Sequence, residues 1–154
     1  MLRHTLATLA YRAGKVLRDA PSGFTDFRAS QDTRSAGQIL AHMGDLMDWV
    51  LRMAQGEVRW TTATPLAWDA EIRRFFTSLG ALDAYLASGA TIAWDSGRLY
   101  QGGIADALTH TGQLAMLRRL SGFKMKGENY ARADIAIGRV GIDQTPPDPR
   151  YEFD

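Results

Sequence analysis

Four stretches of the chain repeat apolar residues every three or four positions, which is the spacing of one face of an α-helix. In the first stretch these residues include Leu2, Leu6 and Leu9, and Pro21 ends the pattern. The four patterns predict helices over residues 2–19, 33–55, 65–88 and 99–120. No strong strand pattern lies between them, and each apolar face needs a helical partner. The sequence therefore predicts an all-α protein, an antiparallel four-helix bundle.

Residues that cap or break helices set the predicted boundaries. Asp32 or Thr33 is expected to cap the second helix, and Thr64 followed by Pro65 is a typical start for the third. Over residues 124–154 the periodicity is lost, which predicts an irregular C-terminal extension with one short helix. A chain of 154 residues is the usual size of one domain, so we expect a single domain over the whole chain.

The composition excludes several classes of site and partner. The chain has no cysteine, so thiolate metal sites are excluded and the candidate metal ligands are histidine and carboxylate groups. A net charge of +1, with arginines scattered among acids, provides no basic surface for nucleic acid. No apolar run approaches the length of about 18 residues that suggests a membrane span, and no signal peptide is recognised. We therefore expect a cytoplasmic protein that binds neither nucleic acid nor a membrane.

Asp106 and His110 are four positions apart in the predicted fourth helix. On a helix this spacing places the two side chains one above the other, with Cβ atoms about 5–6 Å apart, close enough to bind one metal ion. The alternative is an ion pair or hydrogen bond on the solvent-exposed face, which the same spacing favours.

His42 lies in the apolar face of the predicted second helix, between Ile39 and Leu46. A histidine that points into a bundle needs a partner, and the alternative to a metal ligand is a core histidine bonded to a carbonyl or to Asp106. Burying polar side chains from two different helices costs free energy unless a shared partner satisfies both of them. A metal ion bound by His42, Asp106 and His110 does so, and bundle cores are a recurring place for such sites.

Two segments, AHMGDLMDW around His42 and DALTHTGQLAMLRR around His110, resemble the DinB-like superfamily of DNA-damage-inducible bundle proteins. In that family a histidine of the second helix and an HxxxH pair of the fourth, often followed by Gly-Gln, form a three-ligand metal site. His42 matches the first position and His110 matches the last. Asp106 stands where the family has the first histidine of the pair. The resemblance therefore implies a site of His42, Asp106 and His110, with aspartate as a substituted ligand.

Two histidines and one carboxylate form a chemically sound ligand set for a divalent ion, zinc or nickel foremost, with iron, cobalt or manganese as further candidates. Asp45 follows His42 by one helical turn and is a candidate fourth ligand or a hydrogen-bond partner of a ligand; the alternative is a solvated acid on the helix surface. Gln113 follows His110 by three positions and is expected to orient a water on the metal, with an ordinary interhelical hydrogen bond as the alternative.

Further residues are candidates for the surroundings of the site. The four tryptophans could line a substrate cleft or serve as core or dimer contacts: Trp49, Trp60, Trp68 and Trp94. Polar residues of the C-terminal extension are expected to close over the metal: Glu128, Tyr130, Asp143 and Gln144.

Two functions of different classes follow from these residues. The first is a metal-dependent enzyme, which the resemblance makes a thiol-dependent transferase or a hydrolase with a small-molecule thiol or other small substrate. The second is a non-catalytic stress-response or binding module whose metal site is structural or vestigial. A filled shell of four protein ligands indicates a structural metal, and three ligands with an open position indicate chemistry. The many large apolar residues, and the resemblance, also predict a homodimer.

Overall fold

Helical segments make up most of the protein, whose computed structural model describes residues 1–21 and 23–154. The long helices are α1 (Leu2–Leu17), α2 (Ala36–Gln55), α3 (Trp68–Ala87) and α5 (Ala105–Leu120). Before α5 lie the short α4 (Ser96–Leu99) and a π-helical turn (Tyr100–Ile104). Three 3₁₀ turns are found at Phe24–Asp26, Tyr130–Arg132 and Pro149–Tyr151. Among the described residues, strands are confined to β1 (Gly127–Glu128) and β2 (Glu152–Phe153), which confirms the prediction of an all-α protein.

Helix α2 begins at Ala36, so the prediction of Asp32 or Thr33 as its cap was wrong. The cap is Ser35, whose hydroxyl oxygen accepts a hydrogen bond from the amide of Gln38 at 3.3 Å. The side-chain oxygen of Gln38 accepts a bond from the amide of Ser35 at 2.9 Å. This reciprocal pair satisfies two amides that the helix leaves free, and it fixes the first turn of α2.

The other helix boundaries also differ from the predicted ones. Helix α3 begins at Trp68 and not at Pro65, because the amide of Leu66 donates a hydrogen bond to the buried carboxylate of Glu71 and the chain there stays extended. The last long helix is preceded by α4, which Asp95 caps by accepting bonds from two amides. Between α4 and α5 the backbone at Gly102 is non-helical, with φ −79° and ψ −108°. A π-helical turn of this kind reorients the helix that follows it.

The long helices are not all antiparallel to their neighbours, which corrects the predicted bundle. Arg74 near the start of α3 pairs with Asp45 in the first half of α2 at 2.9 Å. Tyr85 near the end of α3 hydrogen bonds to the carbonyl of Ala54 near the end of α2. Helices α2 and α3 therefore run in the same direction, because residues 56–67 return along α2 before α3 begins.

Helix α5 runs antiparallel to α2, and this pairing brings the candidate ligands together. Gly103, just before α5, lies against Val50 near the end of α2, and a Cβ on Gly103 would stand 2.4 Å from the Val50 side chain. The ring of His110 lies beside the ring of His42 near the start of α2, with 5.0 Å between ring centroids. Helix α1 packs against α3 and α5 and completes the set of four.

The hydrophobic core draws on all four long helices. Its largest fully buried side chains include Leu6, Leu9, Leu40, Met43, Met47, Phe75, Leu79, Leu82 and Leu114. They form one contiguous cluster with residues from all four long helices. No helix in the described part of the chain combines the length and apolar character needed to cross a bilayer.

The C-terminal extension is fastened to α1. Strands β1 and β2 pair antiparallel, with Glu128 opposite Glu152. The ammonium of Lys15 lies 2.9 Å from the Glu128 carboxylate and 2.8 Å from that of Glu152. The hydroxyl of Tyr11 donates to Glu128 at 2.6 Å. One lysine thus joins both strands to the helix, through side chains that are almost fully buried.

The prediction that residues of this extension close over the metal was wrong. Glu128 is bound to α1, and the ring of Tyr130 packs edge-on against Tyr11 at 6.4 Å. The backbone oxygen of Gln144 accepts a hydrogen bond from Arg18 at the end of α1. Asp143 lines a cleft between α1 and α3. The extension covers α1, and α1 carries none of the three candidate ligands.

Candidate metal centre

His42, Asp106 and His110 come together between α2 and α5. Each offers one ligand atom, and these atoms lie within 4.8 Å of one another. Nε2 of His42 is 3.6 Å from Oδ2 of Asp106, and Nε2 of His110 is 3.5 Å from Oδ1 of Asp106. The Asp106 carboxylate therefore lies near Nε2 of both imidazoles, with Oδ2 nearest to His42 and Oδ1 nearest to His110.

The spacing of these atoms fits one divalent ion. Protein nitrogen and oxygen ligands lie about 2.0–2.2 Å from zinc, and in a tetrahedral site this places two ligand atoms about 3.4 Å apart. The separations of 3.5 and 3.6 Å are close to that value and end on different oxygens of the Asp106 carboxylate. With one ligand atom from each residue, the three atoms lie within 4.8 Å of one another. The donor set of two imidazoles and one carboxylate also suits zinc, nickel, iron, cobalt or manganese. The residues present fit the group that the sequence predicts.

The three candidate ligands are unequally exposed. The side chain of Asp106 is 47% exposed, that of His42 20% and that of His110 11%. The histidines approach from the protein side, and the carboxylate lies at the surface. An ion held by these three groups would face solvent on the side of Asp106, so a small molecule could reach it.

Gln113 orients His110. The Oε1 atom of Gln113 lies 2.7 Å from Nδ1 of His110, one helical turn away on α5. Since an amide oxygen can only accept a hydrogen bond, Nδ1 carries the proton and Nε2 keeps the lone pair that a metal requires. Gln113 therefore contacts the imidazole of the candidate ligand His110, whereas the sequence predicted a contact with a water on the metal.

The environment of His42 favours its neutral form. Partial burial lowers the pKa of His42, and the positive charges of Arg34 and His110 lower it further, against the opposing effect of Asp106. An imidazole with a lowered pKa is neutral at pH 7, which is the state that binds a metal ion.

Two of the four tryptophans lie at the site and two do not. The ring of Trp60 is 5.5 Å from that of His42, and Trp49 packs edge-on against Trp60 at 5.7 Å. Trp68 packs edge-on against Phe24, and both Trp68 and Trp94 lie against the hydrophobic core. The expectation of a tryptophan-lined cleft thus fits Trp49 and Trp60, and that of core contacts fits Trp68, Trp94 and also Trp49, which packs against the core as well.

Asp45 is not turned toward the candidate ligands. Its carboxylate, only 4% exposed, pairs with Arg74 at 2.9 Å and accepts a hydrogen bond from the amide of Ala63. Arg74 also binds the carboxylate of Glu71 and the carbonyl of Ala41. Gly44 has no side chain and so leaves room for the guanidinium of Arg74. A Cβ at this position would stand 2.8 Å from the guanidinium. The carboxylate of Asp45 therefore joins α2 to α3.

Three clefts open at the candidate ligands. His110 and Gln113 line one of about 390 Å³, His42 lines a second of about 350 Å³, and Asp106 lines a third of about 430 Å³. Arg34, which the sequence analysis missed, lines the first two. Its only signal in the sequence is its position directly before Ser35, the cap of α2.

Comparisons of the chain with protein-family models, with curated proteins and with solved structures find no match.

Proposed function

We propose that the chain binds one divalent metal ion, zinc or nickel foremost, through His42, Asp106 and His110, and that it is a metal-dependent enzyme. The observation that carries this proposal is the convergence of three ligand atoms of the right chemistry within 4.8 Å. The resemblance of the segments around His42 and His110 to DinB-like proteins supports it further. That resemblance narrows the reaction to thiol-dependent transfer or to hydrolysis.

The ligand count favours catalysis over a structural metal. Among the described residues, no other histidine or acid joins these three candidate ligands. The acid nearest to His42 in the sequence, Asp45, is bound to Arg74. A divalent ion with three protein ligands keeps a position for a water, a thiol or a substrate carbonyl, and it lowers the pKa of what it binds there or polarises it. The exposure of Asp106 leaves that position within reach of solvent.

The protein's own side chains have separate tasks in this proposal. Gln113 holds the proton of His110 on Nδ1, and the lowered pKa of His42 keeps that imidazole neutral. The aromatic faces of Trp49 and Trp60 shield the His42 side of the centre. Asp106 supplies a negative charge that offsets part of the charge of a bound cation.

The alternative is a non-catalytic binding or stress-response module with a structural metal. A structural metal holds the fold together, so its removal unfolds the protein. The contiguous core of all four helices supports the opposite expectation, which is that the protein stays folded without metal. Thermal unfolding of chelator-treated protein separates the two functions. Unfolding at the growth temperature after chelation would favour the structural role.

Metal analysis of histidine variants tests the site itself. We expect His110→Ala to lose most of its bound metal after dialysis and to keep its helical circular dichroism, because helix formation rests on the apolar faces. His4→Ala is the matched control, since His4 is the third histidine of the chain and is exposed on α1. Equal metal content in His110→Ala and the parent protein would contradict the proposal.

Cobalt substitution tests whether the bound ion is open to a substrate. We expect cobalt-loaded protein to develop a thiolate-to-cobalt absorption band when a small thiol is added, because a three-ligand site accepts a fourth donor. The same spectrum with and without thiol would exclude the transferase reaction, and hydrolysis of a panel of esters and amides would then be measured.

The expected homodimer stays a prediction, which light scattering can check against a monomer mass of 17.0 kDa.

A further inference from the structure

Arg34 lies where two of the clefts at the metal centre meet. It lines the cleft that contains His110 and Gln113, and also the cleft that contains His42. It directly precedes Ser35, the residue that caps α2, so the well-fixed first turn of that helix holds its backbone. The guanidinium is therefore a positive group beside both imidazoles of the candidate site.

The side chain of Arg34 is a charged group that lines both clefts. Arg34 is exposed, and it forms no ion pair with a carboxylate in the part of the chain that the structure describes. Asp45 lines the cleft of His42 with it, but that carboxylate is bound to Arg74 at 2.9 Å. An arginine presents five donors in a planar fork that matches the oxygens of a carboxylate or phosphate.

The cleft beside His110 is mainly apolar. Its wall is formed by Ala29, Ile39, Met116 and Leu117. Its volume of about 390 Å³ lies within the range of about 300–1,000 Å³ that is common for small-molecule pockets. An apolar body in this cleft would lie against His110 and Gln113, and its charged end would reach Arg34.

We propose that Arg34 anchors the oxyanion head of an amphipathic small molecule whose apolar body occupies the cleft beside His110. The inference rests on the proposed metal-dependent function, for which it names the substrate class: an apolar compound with a carboxylate or a phosphate group. Arg34 is a specificity residue in this arrangement. It selects the charge of the substrate, while the centre of His42, Asp106 and His110 provides the chemistry.

The test measures the binding of four probes with the same hexyl chain as apolar body: heptanoate, hexyl phosphate, 1-hexanol and hexylamine. Each is titrated into zinc-loaded and into chelator-treated protein, and binding is followed by calorimetry or by amide chemical shifts. We expect at least one anion to bind about tenfold more tightly than 1-hexanol and hexylamine, which is the usual contribution of a charge-assisted hydrogen bond. The comparison of heptanoate with hexyl phosphate identifies the head group.

Substitutions assign the effect to one side chain. Arg34→Gln is expected to reduce anion binding to the level of 1-hexanol without a change in zinc content. Arg73→Gln is the matched control, since Arg73 is exposed on α3 and lines neither of these clefts. Met116→Glu, which adds a negative charge to the apolar wall, is expected to weaken the anions and not hexylamine.

Two outcomes would overturn the inference, and they differ from a failure of the metal site. The first is anion binding of the same strength in Arg34→Gln and in the parent protein. If chelation then abolishes this anion binding, the head group binds the metal ion and not Arg34. The second is equal affinity for all four probes. If the metal proposal is wrong, the parent protein will contain no zinc. The titrations of chelator-treated protein would still measure the contribution of Arg34 to anion binding.

Discussion

Gln113 accepts a hydrogen bond from Nδ1 of His110 at 2.7 Å, and Nε2 of the same ring lies 3.5 Å from the Asp106 carboxylate. The two ends of the imidazole therefore have different roles. One end is fixed by the protein, and the other faces the place where an ion would lie. Partners of this kind set the tautomer and orientation of a metal-binding histidine and raise its basicity.

We expect Gln113→Ala to weaken zinc binding by about 10–100-fold, because loss of an outer partner of a ligating histidine has effects of that size. Gln113→Glu should retain or strengthen binding, since a carboxylate is a stronger acceptor for the Nδ1 proton. Competition with a chromophoric chelator measures both variants. Gln55→Ala, at the exposed end of α2, is the control. Unchanged affinity in Gln113→Ala would mean that Gln113 plays no part in the site.

Asp45 and Asp106 should show opposite behaviour when each is replaced by asparagine. Asp106→Asn removes a proposed ligand and should lower zinc affinity at least about 100-fold, with little change in stability because the side chain is 47% exposed. Asp45→Asn removes a buried partner of Arg74 and should cost about 2 kcal/mol of unfolding free energy with zinc affinity retained. Denaturant unfolding and zinc titration of both variants provide the measurements. Loss of zinc affinity in Asp45→Asn would restore Asp45 as a ligand.

The sequence was sufficient for the existence of the helices and for the three candidate ligands. His42 lies in an apolar face, so its inward direction followed from periodicity alone. Asp106 and His110 share a face through their spacing. The cap of α2 was within reach as well, because Ser35 followed by Gln38 has the spacing of a capping box, a stronger signal than Asp32 or Thr33 alone.

The sequence did not predict the direction of α3 or the role of Asp45. Helix α2 has 20 residues and is about 30 Å long. The connection over residues 56–67, at up to about 3.3–3.6 Å per residue, is long enough to return along the whole helix, but its sequence does not require this. The partner of Asp45 depends on that choice, since Arg74 reaches Asp45 only when α2 and α3 are parallel.

Trp60 should report metal binding by its fluorescence, because its ring lies 5.5 Å from that of His42. Nickel and cobalt ions have partly filled d shells and quench nearby indoles, so we expect either ion to lower the emission of the parent protein at stoichiometric amounts. Trp60→Phe should remove the largest share of this quenching, and Trp94→Phe, at the hydrophobic core, should not. Quenching that is equal in Trp60→Phe and the parent protein would place the ion elsewhere.

The attachment of the C-terminal extension can be tested at Tyr11. Burial and the adjacent Glu128 carboxylate raise the pKa of Tyr11, so its hydroxyl stays protonated and donates to Glu128 at 2.6 Å. Tyr11→Phe removes a hydrogen bond to a charged group and should lower the unfolding free energy by about 1.5–3 kcal/mol. Tyr100→Phe, at an exposed position, should change it by less than about 0.5 kcal/mol. Equal stability of the two variants would contradict a fastening role for Tyr11.

The remaining prediction concerns the pH dependence of metal affinity. Both must be neutral to bind, so protons compete with the ion as the pH falls. At pH 5.5 an imidazole with an ordinary pKa of about 6.5 is neutral in about one molecule in ten, which weakens binding about tenfold. The pKa of His42 is lowered, so its competition begins at a more acidic pH than that of an ordinary histidine.

Zinc affinity should therefore weaken from pH 7.5 to pH 5.5, and by less than the roughly 100-fold that two histidines of ordinary pKa would produce, because the pKa of His42 is lowered. Imidazole NMR signals of metal-free protein should show His42 titrating below the usual range. Arg34→Gln should raise the pKa of His42, because it removes a positive charge that lowers it. His4→Ala should leave the pH profile unchanged, since His4 is exposed on α1. An affinity that stays constant between these two pH values would remove both histidines as ligands.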